Sequence, residues 1–194
     1  MAESGILADV GRIYDSIDDG LAEWIGAQPV FFVATAPTGA DGHVNVSPRG
    51  GDPLAVLDAR TVAWLDLTGS GVETIAHLRE NGRICVMLCS FSGPPRIVRL
   101  HGRGEVVELG ANGYPELAAQ LPAHPGGRAV IRVACERIAD SCGFGVPVME
   151  LAGPRTQLTG FATRKGPEGL AAYRASRNAT SIDGLPGLDP PTAS

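Results

Sequence analysis

The chain has 194 residues, a hydrophobic fraction of 44% and a formal net charge of -5, which suits one domain with a real core and excludes a wholly disordered polymer. Such an acidic chain has no basic footprint for a phosphate backbone, so no nucleic-acid partner is expected. The longest apolar runs, such as Val30 to Ala34, fall far short of the ~20 residues of a spanning helix, and Met1-Ala2-Glu3-Ser4 opens no signal-peptide pattern; a cytoplasmic protein without membrane association is expected.

In chain order, Ile6, Val10, Ile13, Tyr14 and Ile17 fall near helical spacing, and Leu21, Trp24 and Ile25 repeat the pattern after Ser16, a candidate N-cap. Gln28-Pro29 ends this helical region. Val30 to Ala36 and His43 to Ser47 then read as a hairpin across the turn-rich segment Pro37 to Gly42. Two strands follow at Leu54 to Leu57 and Thr61 to Leu67. Next, Ser70 and Glu73 have the spacing of a capping box for a helix that Asn81-Gly82 would stop. Arg83 to Phe91 and Ile97 to Leu109 read as two long strands joined by Ser92-Gly93-Pro94-Pro95, Tyr114 to Leu121 as a short helix, Ala129 to Ile138 as a strand, and Glu168 to Arg177 as a last helix. The expected architecture is mainly β: an antiparallel barrel or sheet of six or seven strands with short flanking helices. Residues 1–178 form one domain in this reading, and 179–194 a turn-rich tail that is either disordered or docked on a neighbouring surface through its apolar anchors Ile182, Leu185 and Leu188.

Fifteen of the sixteen basic residues are Arg, with Lys165 the exception. That excludes a Gly-Lys-Ser/Thr phosphate loop and points to anion recognition by Arg and backbone N–H groups. Cys85, Cys89, Cys135 and Cys142 contain no Cys-x-x-Cys pair, and His43, His77, His101 and His124 are scattered, so reduced thiols and no metal site are expected. The turn Gly69-Ser70-Gly71 between strand and helix lacks the third glycine of a dinucleotide fingerprint, position 74 being Thr. It still suits a phosphate, with amides at a helix N-terminus and hydroxyls from Ser70 and Thr74; the same residues suit a plain cap. Ser47-Pro48-Arg49-Gly50-Gly51-Asp52 sets an Arg where the chain leaves a strand, as an anion ligand or as a partner of Asp52.

The ordered set of Ser-Pro-Arg-Gly at 47–50, a strand ending Asp66-Leu67-Thr68, a helix ending Asn81-Gly82-Arg83 and a hairpin ending at Arg103-Gly104 resembles the pyridoxamine 5'-phosphate oxidase-like flavoproteins over about residues 20 to 140. The resemblance implies a split β-barrel, a homodimer, and FMN in a cleft between the subunits. Carried over by position, the cofactor-contacting residues are Val46, Ser47, Pro48, Arg49, Gly50, Leu67, Thr68, Ser70, Gly71 and Thr74, with Arg49 on the phosphate and Arg96 near the ring or ribityl chain across the dimer. Glu73-Thr74 stands where family members that oxidise pyridoxamine phosphate carry Arg-Lys, and the family's Arg-x-His substrate element is absent, so vitamin B6 synthesis is not expected. The implied function is an FMN-dependent oxidoreductase passing a hydride between the flavin and a small organic substrate or a nicotinamide. The deazaflavin F420 is the alternative cofactor, and a non-catalytic flavin or haem carrier is the alternative role; no catalytic residue is implied.

Overall fold

The computed structural model describes residues 11–190. Short β1 (Ile13–Tyr14) and helix α1 (Asp19–Gly26) precede β2 (Val30–Thr35), β3 (Asn45–Gly50), β4 (Ala55–Asp58) and β5 (Thr61–Leu67); helix α2 (Glu73–Asn81) leads to β6 (Arg83–Cys89) and β7 (Ile97–Glu108), and then come α3 (Tyr114–Ala118), β8 (Gly127–Ser141) and α4 (Gln157–Arg177). The strands form one antiparallel sheet in the order β3-β2-β6-β7-β8-β5-β4, with β1 added on β8. This is the expected split barrel, its seven-strand path extended by the two residues of β1. Among the described residues no helix is long and apolar enough to cross a membrane.

Alternation builds the barrel interior. Phe31 and Val33 of β2, Ile84, Val86 and Leu88 of β6, and Val98 and Leu100 of β7 are buried in one cluster, which Ile75 and Leu78 of α2 complete. β5 reads Val62-Ala63-Trp64 without alternation because both of its faces are covered: Val62 and Trp64 join the main core, while Ala63 packs with Leu121 and Val130 beneath α3. β7 and β8 pair along almost their whole length, from Ile97↔Ser141 to Glu108↔Ala129, with a bulge at His101/Gly102. A side chain at Gly102 would overlap the carbonyl oxygen of Ala134. At the end of α2, Gly82 takes φ 69° and its N–H donates to Leu78 O, the expected stop signal.

Several expectations are corrected. Ile6 and Val10 lie outside the described residues, and Ile13 and Tyr14 are strand rather than helix, since they pair with Ala139 and Ile138 while the Arg12 amide donates to Asp140. The N-cap of α1 is Asp18, whose carboxylate accepts from Leu21 N at 2.8 Å, not Ser16. Pro48, Arg49 and Gly50 belong to β3 rather than to a loop; a proline is tolerated there because β3 is an edge strand. No capping box forms: α2 begins at Glu73, its N-cap is Val72 without a side-chain bond, and Glu73 accepts instead from Ile182 N at 3.4 Å. The helix at Tyr114 ends at Ala118, and the last helix starts eleven residues early, at Gln157, with non-helical backbone at Gly166 ahead of Pro167.

The segment after α4 folds back on the barrel. Asn178 Nδ2 donates to Gly69 O at 2.9 Å, Thr180 bridges Pro186, Leu188 packs on the core, and Arg79 of α2 donates to Gly187 O and pairs with Asp189.

Two outcomes follow from this packing. Gly102→Ala is expected to cost about 1–3 kcal/mol, because the added methyl overlaps backbone that cannot swing aside; a urea melt measures it, and an unchanged midpoint would contradict the close approach. Of the four thiols only Cys142 is exposed, and burial pushes Cys135 up to about 11. Ellman's reagent at mildly alkaline pH should therefore modify Cys142 rapidly and the other three only after denaturant is added.

Candidate functional site

Arg49 leaves the edge strand β3, Asp66 lies near the end of β5 and Arg128 near the start of β8. Sheet order separates β3 from β5 by four strands, yet the curl of the barrel brings their side chains together. Arg128 Nε donates to Asp66 Oδ2 at 2.6 Å, and Arg49 Nη1 stands 3.0 Å from Asp66 Oδ1 in a charge contact without hydrogen-bond alignment. Asp66 is fully buried and Arg128 is 3% exposed. One carboxylate thus serves two guanidinium groups, and Arg49 Nε and Arg128 Nη1 are buried with no partner.

A cleft of about 130 Å³ opens on this pair, walled by Ser47, Leu67, Gly69, Gly71, Glu73 and Thr74 besides the two arginines. Behind it runs a polar chain. Asn45 Nδ2 donates to both Thr74 Oγ1 and Thr35 Oγ1 at 3.1 Å, Ser47 Oγ donates to Asn45 Oδ1 at 2.9 Å, and Thr35 Oγ1 bonds His77 Nδ1 at 3.0 Å. The proton count has a consequence: the Ser47 hydroxyl hydrogen is spent on Asn45, whereas Thr74 only accepts and keeps its hydrogen for the cleft. His77, on the buried face of α2 itself, is fully buried, and desolvation pulls its pKa down, which favours the neutral ring.

Two guanidinium groups on one carboxylate leave N–H groups of Arg49 and Arg128 unpartnered, and an oxyanion would satisfy them. The donors are Arg49, Arg128, the Thr74 hydroxyl and the amides of the turn, a set that fits a phosphate. Glu73 is the dissenting charge. Its side chain folds over Gly71, where a Cβ would collide with it, and the tail amide of Ile182 holds its other oxygen.

Of the expected cofactor residues, Ser47, Arg49, Leu67, Gly71 and Thr74 meet in this cleft, while Pro48 and Gly50 line an adjoining one that also contains Arg49 and Leu67. Val46 and Ser70 line a shallow opening beside it with Glu73 and Ile182. Thr68 is buried with its hydroxyl unpartnered. Arg96 lies elsewhere in the chain: it donates to Tyr14 Oη at 2.7 Å, stacks over Trp24 at 5.0 Å and faces Asp140 in a cleft of about 630 Å³. Sequence reasoning missed Asp66, Arg128 and Asn45. An acid inside the otherwise apolar run of β5 was the available signal for the first, because a buried carboxylate demands a cation.

The family model described as pyridoxamine 5'-phosphate oxidase matches residues 17–142. The pyridoxamine 5'-phosphate oxidase family protein ustO of Aspergillus flavus is 42% identical over 192 residues, covering 90% of this chain and 77% of the relative. Among solved structures, HupZ of group A Streptococcus aligns with a TM-score of 0.50 at 20% identity, over 69% of this chain and 99% of its own. A FAD-binding protein of Mesorhizobium loti aligns with a TM-score of 0.45 at 16% identity, over 68% and 97%. At 20% identity the likeness to HupZ is one of fold, and it is the fold described above. Match length and identity to the curated relative go further: the chain belongs to the pyridoxamine 5'-phosphate oxidase family.

Proposed function

We propose that the chain is a flavin-dependent oxidoreductase that holds the phosphate of an FMN moiety on Arg49, Arg128, the Thr74 hydroxyl and the amides near Gly71. The observation that carries this reading is the pair of guanidinium groups sharing one buried carboxylate, each with a buried N–H left unpartnered; family membership supports the choice of a flavin over other phosphorylated ligands. A bound flavin supplies hydride transfer with a small organic substrate or a nicotinamide, and the protein then contributes binding and orientation rather than a dedicated acid or base. Asp66 orients both arginines, and Asn45 aims the Thr74 hydroxyl.

The same reading takes the working unit to be a homodimer in the cytoplasm. Its support is the outward face of the sheet, where Phe32↔Met87↔Arg99 and Ala34↔Cys85↔His101 register across β2, β6 and β7 as a half-buried, largely apolar surface that continues into exposed Val44 and Val46. Four free cysteines suit a reducing compartment.

Purified protein mixed with FMN and passed through a desalting column should carry a visible flavin band; a colourless protein peak would overturn the proposal. Arg128→Met should weaken the complex by about 1.5–3 kcal/mol, the value of hydrogen bonds to a charged group, or roughly 10–150-fold in Kd by titration calorimetry, and Arg49→Ala should do the same. Light scattering on a sizing column should give twice the chain mass, reduced to a single chain by Met87→Glu, which sets a charge into the outward face. A wild-type protein eluting as a monomer would remove the dimer from the reading.

A further inference from the structure

A separate cleft, of about 390 Å³, opens between the end of β7, the last turns of α4 and the tail, and Arg128 is the one residue it has in common with the anion site. Its volume is within the range of small-ligand sites. Arg128 is almost fully buried, gives Nε to Asp66 and keeps Nη1 without a partner. Arg174 of α4, half-buried in the same wall, donates from Nη1 to Gly127 O at 3.1 Å, and no carboxylate of the described residues pairs with it. Burial first, and then the neighbouring charge of Arg128, hold the Arg174 guanidinium below its ordinary pKa, although an arginine keeps its proton in either case. The two acids of the cleft are already engaged: Arg79 pairs with Glu108 and meets both Asp189 oxygens, at 2.8 and 3.0 Å, while the Asp189 amide donates to Glu108 at 3.2 Å.

We propose that this α4 cleft binds a small organic carboxylate, its head held by Arg174 and Arg128 and its apolar body laid against Leu109, Ala111, Ala171, Ala175 and Leu188. The site is distinct from the flavin phosphate cleft and does not depend on the flavin reading. Charge selects the head group. Asp66 already answers Arg128, and Arg79 answers Glu108 and Asp189, so Arg174 is the guanidinium left without a counter-charge, and a monoanion balances it. A phosphate monoester, at about -1.5 to -2, would carry its excess charge toward Glu108 and Asp189. A carboxylate also meets a guanidinium in plane through two parallel hydrogen bonds. Lining selects the body, because the remaining walls are aliphatic side chains that gain from being covered by an apolar group rather than by water.

Benzoate, titrated calorimetrically into the purified protein, is the probe, with benzamide as the uncharged molecule of the same shape. Benzoate is expected to bind, and benzamide at least about tenfold more weakly, the low end of the return from hydrogen bonds to a charged group. Arg174→Met should weaken benzoate by at least the same factor. Ala171→Glu sets a carboxylate one helical turn from Arg174 while leaving both arginines and the Gly127 contact in place, and it should do likewise. Arg49→Ala should bind benzoate as the wild type does, because Arg49 lines the anion site and not this cleft. Absence of benzoate binding, equal binding of benzamide, or an affinity that survives both α4 variants overturns the proposal. So does benzoate binding that Arg49→Ala abolishes, which would put the carboxylate in the anion site. FMN titrated into the same preparation tests the flavin reading by itself: no FMN binding, with the benzoate pattern intact, removes that reading and upholds the carboxylate site.

Discussion

One carboxylate ties the ends of this barrel together across the apolar core that Phe31 and Trp64 share. In the order β3-β2-β6-β7-β8-β5-β4 the first and sixth strands are not neighbours, and no backbone ladder joins them. Asp66, fully buried on β5, bridges the gap by engaging Arg49 of β3, and it holds Arg128 of β8 from its other oxygen. Removing one partner of such a buried ion pair ordinarily costs about 3–5 kcal/mol, because the remaining charge is stranded. The cluster therefore shapes the fold and the anion site at once: the geometry that closes the barrel also leaves two guanidinium edges facing a cleft.

Around that cluster the polar groups are arranged with an economy of protons. Asn45 accepts one hydroxyl hydrogen, from Ser47, and donates its own to Thr35 and Thr74, so the strand β3 and the first turn of α2 are locked to each other. The buried His77 of α2 ends this chain. Glu73 tempers the positive field from the opposite wall, and it is kept there by the tail rather than by its own helix. A local cap would have left the helix start independent of the rest of the chain; here it depends on residues more than a hundred positions away.

Much of this was legible in the sequence. The apolar alternation of Val30 to Thr35 and Arg83 to Cys89 gave the strands, and Asn81-Gly82 the helix stop, because these are local preferences that tertiary structure reinforced. Arg49 and Thr74 could be singled out from their place at a strand and at a helix start. Asp66 and Arg128 could not be paired beforehand, since 62 residues and the curl of the whole sheet intervene. The apparent capping box misled for a related reason: a motif that is locally sufficient lost Glu73 to a distant amide. β1 misled differently, as two residues cannot declare a period and their strand character comes from pairing with Ala139 and Ile138.

The segment from Asn178 to Asp189 ties Gly69, Glu73 and Arg79 together, from the turn before α2 to the last turn of that helix. It is synthesised after every strand of the barrel, so during translation the sheet can assemble while the mouth of the anion cleft is still without its outer brace.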